Sequence, residues 1–339
     1  MRSDGRYLLR KEYTAGRPKG LSFRTAVAKP SRKRYGQESR GIGSLNFAIA
    51  TSYIFLYIIP PESSGADSAR KTKKHMLATF EKAALEAGKA ILEVYRAGYS
   101  VALKQDMSPV TLADERAEHI ILRHLERDFP HIPAIAEEQV SAGKIPDVRG
   151  RAFFLVDPLD GTREFIEHRD EFTVNIAYIE DGIPVIGIVY APALGVAFTG
   201  EPGRARKLMV DKYFAITSRV NIAVREPPAK LTALASRCNS NAKTEGFLAD
   251  NAVSGCTSIG SSLKFCLLAE GKADVYPRFG RTMEWDTAAG DAVLRAAGGK
   301  TVTAEGGLLT YGKTDQSADA DFANPHFICW GGQKHGVSA

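Results

Sequence analysis

From residue 77 onward the chain switches between two hydrophobic periodicities. Phe80, Ala84, Ala87, Ile91 and Tyr95 recur at helical spacing, with Glu81, Lys82, Glu86 and Lys89 between them, which predicts an amphipathic helix over 77–95. A second helix is predicted from Thr111, where Thr111-x-x-Asp114 has the form of a capping box and Ile120, Ile121, His124 and Leu125 can share an inner face. Strand patterns follow. Phe153 to Val156 is a short buried run. Phe172 to Ile179 alternates, Asp181-Gly182 turns the chain, and Val185 to Tyr190 returns as a hairpin partner. Ala193 to Thr199 adds another strand, and Leu231 to Ser236 opens a second half. Ser261 to Glu270 and Asp286 to Ala297 read as helices, Ala273 to Tyr276 as a strand between them, and Gly298-Gly299 stops the last helix. Strands and helices mix without a regular βαβ repeat, which points to layered α/β sheets with much antiparallel pairing.

The first 75 residues do not share this patterning. Residues 1–40 are rich in Arg, Lys, Gly and Ser without periodicity, which suggests disorder. An apolar run from Leu45 to Ile59 ends at Pro60-Pro61 and is shorter than the roughly 20 residues a spanning helix needs. It could be a weak membrane anchor flanked by basic residues, or a signal sequence behind an overlong charged region. The preferred alternative is that the working protein starts at Met76, directly before the first patterned helix. The expected organisation is a basic extension over 1–75, a half over 76–200 holding most of the chemistry, and a half over 201–335 completing it.

Charge follows the same division. The 339-residue chain has a formal net charge of +6, but residues 1–75 carry 16 Lys and Arg against 5 Asp and Glu, leaving 29 against 34 for the rest. The basic pI is therefore poor support for a nucleic-acid polymer as partner. Cys238, Cys256, Cys266 and Cys329 form no C-x-x-C pair and have no histidine cluster beside them, which argues against a zinc site, and free thiols of a reducing cytoplasm are expected.

Three acidic clusters carry the candidate chemistry: Glu137-Glu138, then Asp157-Pro158-Leu159-Asp160-Gly161-Thr162 directly after the strand 153–156, then Glu284-Trp285-Asp286 at a helix start. A buried strand ending in two aspartates three apart aims both at one place. Carboxylates about 4 Å apart repel by roughly 4 kcal/mol at an effective dielectric of 20, so a proton or a cation must sit between them. Hard oxygen donors of this kind suit Mg²⁺, Mn²⁺ or Ca²⁺. Each cluster alone has a plainer explanation: a turn capped by Asp157 and Asp160, a surface glutamate pair, an N-cap at Asp286. Their joint occurrence carries the functional alternative.

Together the clusters resemble the signature of the inositol monophosphatase superfamily: an acidic pair, D-P-[IL]-D-G-T, and W-D-x-A-A-G, here Trp285-Asp286-Thr287-Ala288-Ala289-Gly290. The resemblance spans about residues 77–332. Finer features are similar to the 3′(2′),5′-bisphosphate nucleotidase branch. They are Ser108-Pro109-Val110-Thr111 before Asp114, Arg163-Glu164-Phe165 after the aspartate motif, Glu171 to Ile176, Tyr190-Ala191-Pro192, Gly260 to Lys264, and Ala273 to Arg278.

The resemblance implies a layered αβαβα sandwich of the sugar-phosphatase type and a lithium-sensitive, Mg²⁺-dependent phosphatase. Its substrate would be 3′-phosphoadenosine 5′-phosphate, with the sulfated 3′-phosphoadenosine 5′-phosphosulfate as a second candidate. It further implies that Glu137, Asp157, Asp160, Asp286 and the Leu159 carbonyl hold two or three Mg²⁺ ions, Mn²⁺ being a substitute, and that Asp114 and Thr162 activate the attacking water. Gly161, Thr162, Arg237, Ser262, Lys264 and Asp286 would contact substrate, Lys264 the second phosphate. Two departures from the branch stand out: Asn239, where a histidine near the adenosine is usual, and Asp291. The competing expectations are an inositol-1-monophosphatase and a non-catalytic nucleotide or metal sensor on the same scaffold. A monomer or homodimer is expected, in the cytoplasm or peripherally on the inner membrane's cytoplasmic face.

Overall fold

The computed structural model describes residues 63–98, 101–103, 109–236 and 242–332. The apolar run 45–59, Arg237, Cys238 and Asn239 lie outside the described residues. In chain order the elements are α1 (Ser63–Ala97), β1 (Val101–Leu103), β2 (Pro109–Thr111), α2 (Leu112–Asp128), β3 (Ala134–Ala136), α3 (Glu137–Ser141), β4 (Phe153–Asp160), α4 (Thr162–Ile166), β5 (Thr173–Glu180), β6 (Ile183–Ala191), β7 (Val196–Glu201), β8 (Arg204–Val210), β9 (Ile216–Ile222), β10 (Leu231–Ser236), α5 (Ala242–Asp250), β11 (Val253–Ile259), α6 (Leu263–Ala269), β12 (Val275–Arg278), α7 (Glu284–Ala296), β13 (Lys300–Thr303) and β14 (Phe327–Trp330).

Among the described residues the strands form a small β1-β2 pair, a seven-stranded sheet in the order β3-β4-β5-β6-β7-β8-β9, and a five-stranded sheet in the order β11-β10-β12-β14-β13. The β3–β4 pair is parallel and the rest of the large sheet antiparallel. In the smaller sheet β10 runs parallel to β11 and β12, and β14 antiparallel to β12 and β13.

Strand alternation sorts the core into layers. Phe154 and Val156 of β4 and Val174 and Ile176 of β5 pack under α1 and α2, against Phe80, Ile91 and Ile121. Their neighbours Phe153, Leu155, Ala177 and Ile179 face the opposite way, into a second core with Phe265 and Leu268 of α6, Val293 and Leu294 of α7, and Phe327 of β14. Beyond the smaller sheet, Phe247 and Leu248 of α5 cover Leu231, Ala233 and Val275. The sequence of layers is α1/α2, large sheet, α6/α7, smaller sheet, α5, which is the αβαβα sandwich expected.

Boundaries moved in several places. α1 begins at Ser63, ahead of the stretch that periodicity selects, and Met76 is buried along it at 2% exposure. Lys73 of its earlier turns pairs with Glu180 at 3.0 Å. The large sheet runs past residue 200 through β8 and β9. Both β9 and β11 are sheet edges with exposed interiors, so neither carries the alternation that marks a half-buried strand. No described helix is long and apolar enough to cross a membrane.

α7 lies directly on the large sheet because two glycines let it. A Cβ at Gly187 would stand 2.7 Å from the Ala289 carbonyl oxygen and 2.8 Å from the Ala292 Cβ; at Gly200 it would stand 2.5 Å from the Ala292 carbonyl oxygen and 2.7 Å from the Val293 Cα. The obstacles are helix backbone and an alanine methyl, none of which can swing aside. Gly200→Ala is expected to cost about 3 kcal/mol of stability, read as a lower urea midpoint at unchanged slope.

Candidate active site

β4 carries the central motif. It does not end at Val156 but continues to Asp160, with a register break between Asp157 and Asp160 opposite Asn175 and Thr173. Asp157, 2% exposed, accepts a hydrogen bond at Oδ1 from the Leu159 N–H at 3.0 Å, so the plain turn-capping role is real. Gly161 then takes φ 93°, a conformation that favours glycine, and turns the chain into α4. That turn places Thr162 with its hydroxyl 3.2 Å from the Leu159 carbonyl and 3.4 Å from Asp114 Oδ1.

Asp114 comes from the start of α2, where the predicted capping box is present. Its Oδ2 accepts from both the Thr111 N–H and the Thr111 hydroxyl at 2.8 Å, while Thr111 Oγ1 accepts from the Ala113 N–H at 3.1 Å. The cap fixes one oxygen of a side chain that is 1% exposed and leaves the other directed at Thr162. The 3.4 Å separation is long for O–H···O, as is common before substrate draws such a pair together.

From the other half, Asp286 stands in the first turn of α7. Its Oδ2 accepts from the Met283 N–H at 2.8 Å, and the helix N-terminus favours its negative charge. Glu284, two residues earlier and fully buried, turns away. It accepts from the Gly312 and Lys313 N–H groups at 2.6 and 2.9 Å and pairs with Lys313 Nζ at 2.6 Å, pinning the loop before β14 to α7. Asn324 secures the same corner, donating to the Thr282 hydroxyl, the Met283 carbonyl and the Thr287 hydroxyl.

A cleft of about 400 Å³ gathers these groups. Glu137, Asp160, Asp286, Gly161, Thr162, Ser262 and Lys264 all line it. Glu138, Asp157, Leu159 and Asp114 do not, Asp114 standing behind Thr162. Arg163, Arg278 and Arg281, which sequence reasoning left without a role, do. Among the described residues no three His, Cys, Asp or Glu side chains converge as a ready-formed metal cluster. The carboxylates form an open array of hard oxygen donors.

Lys264 is not the surface lysine its helix position allowed. It is 5% exposed, donates to the Ser261 and Ile259 carbonyls at 2.6 and 3.2 Å, and lies 5.3 Å from the Tyr276 ring centre. Burial lowers it to about 8 against the pull of Asp160, Glu164 and Glu171. Gly260 beside it donates its N–H to Glu171 at 3.0 Å, and Ser261 takes φ 50°, a strained setting for a non-glycine residue at the cleft wall.

The sequence of this cleft matches a family model described as the inositol monophosphatase family over residues 72–329. The chain belongs to the inositol monophosphatase family. Within that family it is 42% identical over 246 residues to the 3′(2′),5′-bisphosphate nucleotidase CysQ of Salmonella typhimurium, covering 72% of this chain and 95% of that protein. The CysQ protein of Haemophilus influenzae is 30% identical over 263 residues, 77% of this chain and 94% of that one. Among solved structures, CysQ from Bacteroides thetaiotaomicron superposes with a TM-score of 0.63 at 34% identity, covering 77% of this chain and 98% of that one. An inositol monophosphatase from Thermotoga maritima, at 23% identity and a TM-score of 0.58 over 74% of this chain and 90% of that one, shares the fold.

The clustered charge of this family member has a measurable consequence. Asp286 is pushed up from 3.8 to about 8, first by burial and then by the charges of Asp160 and Glu137. The folded chain therefore keeps a proton that the unfolded chain releases across that interval. The stability this group contributes is complete below about pH 4 and is lost as pH rises toward 8. In chelator the melting temperature is expected to be lower at pH 8 than at pH 5.5, and Mg²⁺ should narrow the gap. Thermal scans at both pH values decide it; a flat profile in chelator counts against the assignment.

Proposed function

We propose that this chain is a Mg²⁺-dependent phosphatase that removes the 3′-phosphate of 3′-phosphoadenosine 5′-phosphate, leaving AMP, with the sulfated 3′-phosphoadenosine 5′-phosphosulfate as a second substrate. The observation that carries the proposal is the mixed lining of the cleft: the carboxylates of Glu137, Asp160 and Asp286 share it with the basic side chains of Lys264, Arg278 and Arg281. Three basic groups beside a cation-binding carboxylate set suit a substrate with a second phosphate better than a monophosphate. The identity to CysQ nucleotidases over nearly their whole length supports the same choice.

The residues present fit divalent cations. Glu137, Asp160 and Asp286 supply hard, partly enclosed donors, and Asp157 and the Leu159 carbonyl stand next to them. Two or three Mg²⁺ ions are proposed, with Mn²⁺ as a substitute and Li⁺ as an inhibitor. Bound there, Mg²⁺ supplies Lewis acidity to the phosphoryl and leaving oxygens.

The rest of the chemistry belongs to the chain. Asp114 Oδ2 is occupied by Thr111, so Oδ1 is the acceptor for Thr162. A Thr162 hydroxyl that donates to Asp114 turns a lone pair to the cleft, where it accepts from the attacking water and orients it. The Gly161 and Thr162 N–H groups open α4 and face incoming phosphate. Lys264 and Arg278 draw the second phosphate, Lys264 while also holding the 259–261 turn. The proposed setting is cytoplasmic, with a small-molecule partner. Cys256, Cys266 and Cys329 are free thiols, as a reducing compartment allows.

Phosphate release under Mg²⁺ from 3′-phosphoadenosine 5′-phosphate and from inositol 1-phosphate tests the choice. The nucleotide is expected to be favoured at least about 100-fold in kcat/KM. Equal or reversed preference makes the chain a sugar phosphatase, and no release from either makes it a binding protein.

A further inference from the structure

Ser262 sits where the two halves of the sandwich meet. Its Oγ lies 2.7 Å from Asp160 Oδ2 and 2.7 Å from the Asp286 carbonyl oxygen, and it accepts from Asn175 Nδ2 at 2.8 Å. Asn175 Nδ2 also approaches Asp160 Oδ2 at 3.5 Å. Asp160 ends β4, Asn175 lies on β5, Asp286 opens α7 and Ser262 directly precedes α6. One hydroxyl therefore joins two strands of the large sheet to the starts of the two helices that pack on it. Ser262 is 2% exposed and Asn175 1%.

A serine hydroxyl has one proton and two lone pairs. Asn175 occupies a lone pair. The proton has two candidates, and an ionised carboxylate outcompetes a neutral carbonyl for it. Ser262 thus donates chiefly to Asp160 Oδ2 and leaves Oδ1 for the cleft, and the Asp286 carbonyl, as the alternative acceptor of the same proton, ties the start of α7 to this hydroxyl. The Asn175 Oδ1 atom is buried without a partner among the described residues. A buried amide oxygen left unpaired is costly, so this amide is oriented for what its nitrogen holds.

We propose that Ser262 and Asn175 are positioning residues: they fix the orientation of Asp160 and its distance from Asp286 across the junction of the two halves, and so set the affinity of the carboxylate array for a divalent cation. This rests on the reading above that the array takes such a cation. The test is Mg²⁺ titration by calorimetry on the full chain without substrate, for the parent, Ser262→Ala, Asn175→Ala and the double variant. Each single change is expected to weaken Mg²⁺ binding about 10- to 100-fold. The double variant should bind no worse than the weaker single, because both act through one hydrogen-bonded chain. Raised Mg²⁺ should recover phosphate release in both singles. Mg²⁺ affinity within twofold of the parent in either single overturns the proposal, as does a double variant whose loss is the product of the two. If Ser262→Ala fails to fold, the Asn175→Ala titration decides alone. A parent that binds no Mg²⁺ overturns the cation reading itself; a parent that binds, with variants like it, overturns only this inference.

Discussion

Asp160→Asn is expected to reduce phosphate release by about 10³-fold or more while the protein stays folded. The carboxylate lines the cleft opposite Asp286, and its charge is what a cation there would meet. Asparagine has nearly the same shape and keeps an oxygen that can accept from Ser262, so the junction at Ser262 survives. One of the like charges that raise Asp286 also disappears. In chelator the variant should therefore melt no lower than the parent at pH 8, and Mg²⁺ should stabilise it less. Circular dichroism and a phosphate assay on one sample check both halves. Activity within tenfold of the parent would remove Asp160 from the reaction.

Thr162→Val is the second large effect. It keeps the shape and removes the hydroxyl that stands between Asp114 and the cleft. The expected loss is about 10²–10⁴-fold in kcat, with KM little changed, since orienting a nucleophile matters in the transition state more than in binding. Thr111→Ala is the control for the cap. It removes one of two donors to Asp114 Oδ2 and frees the Ala113 N–H, costing about 1 kcal/mol of stability, while the Thr111 backbone N–H still holds the carboxylate. Its kcat should stay within a few-fold of the parent. A Thr162→Val enzyme with parental kcat would break the proposed path from water to Asp114.

The layers were legible in the sequence because α1 and α2 bury one face, which imprints a 3.6-residue period, and because β4 and β5, buried on both faces, read as near-continuous apolar runs between turn signals. The capping box at Thr111 and Asp114 was legible because its partners are three residues apart. The joint between Ser262 and Asp160 was not, since 102 residues separate them and neither looks unusual alone. Glu284 and Asp286 read as one acidic cluster, yet helical geometry turns one into the loop and the other into the cleft. The resemblance singles out Lys264 for the second phosphate, but its burial was not legible; α6, packed between two sheets, buries nearly every side chain it has. Edge strands β9 and β11 were missed for the opposite reason, having too little burial to imprint a pattern. Arg278 and Arg281 gained a role only when the smaller sheet carried them to the cleft wall.

The distribution of the cleft over the chain also bears on how the protein reaches its native state. Asp160 ends β4 of the large sheet, Glu137 opens α3 directly after β3, Asp286 lies in α7 between the two sheets, and no local segment holds all three. An ion attracted to the complete array finds nothing comparable in a partly folded chain that has built only the large sheet. If α7 docks after the folding transition state, such an ion stabilises an interaction absent from that state. Mg²⁺ should then lengthen the lifetime of the folded protein while leaving the rate at which the unfolded chain collapses and folds nearly unaltered.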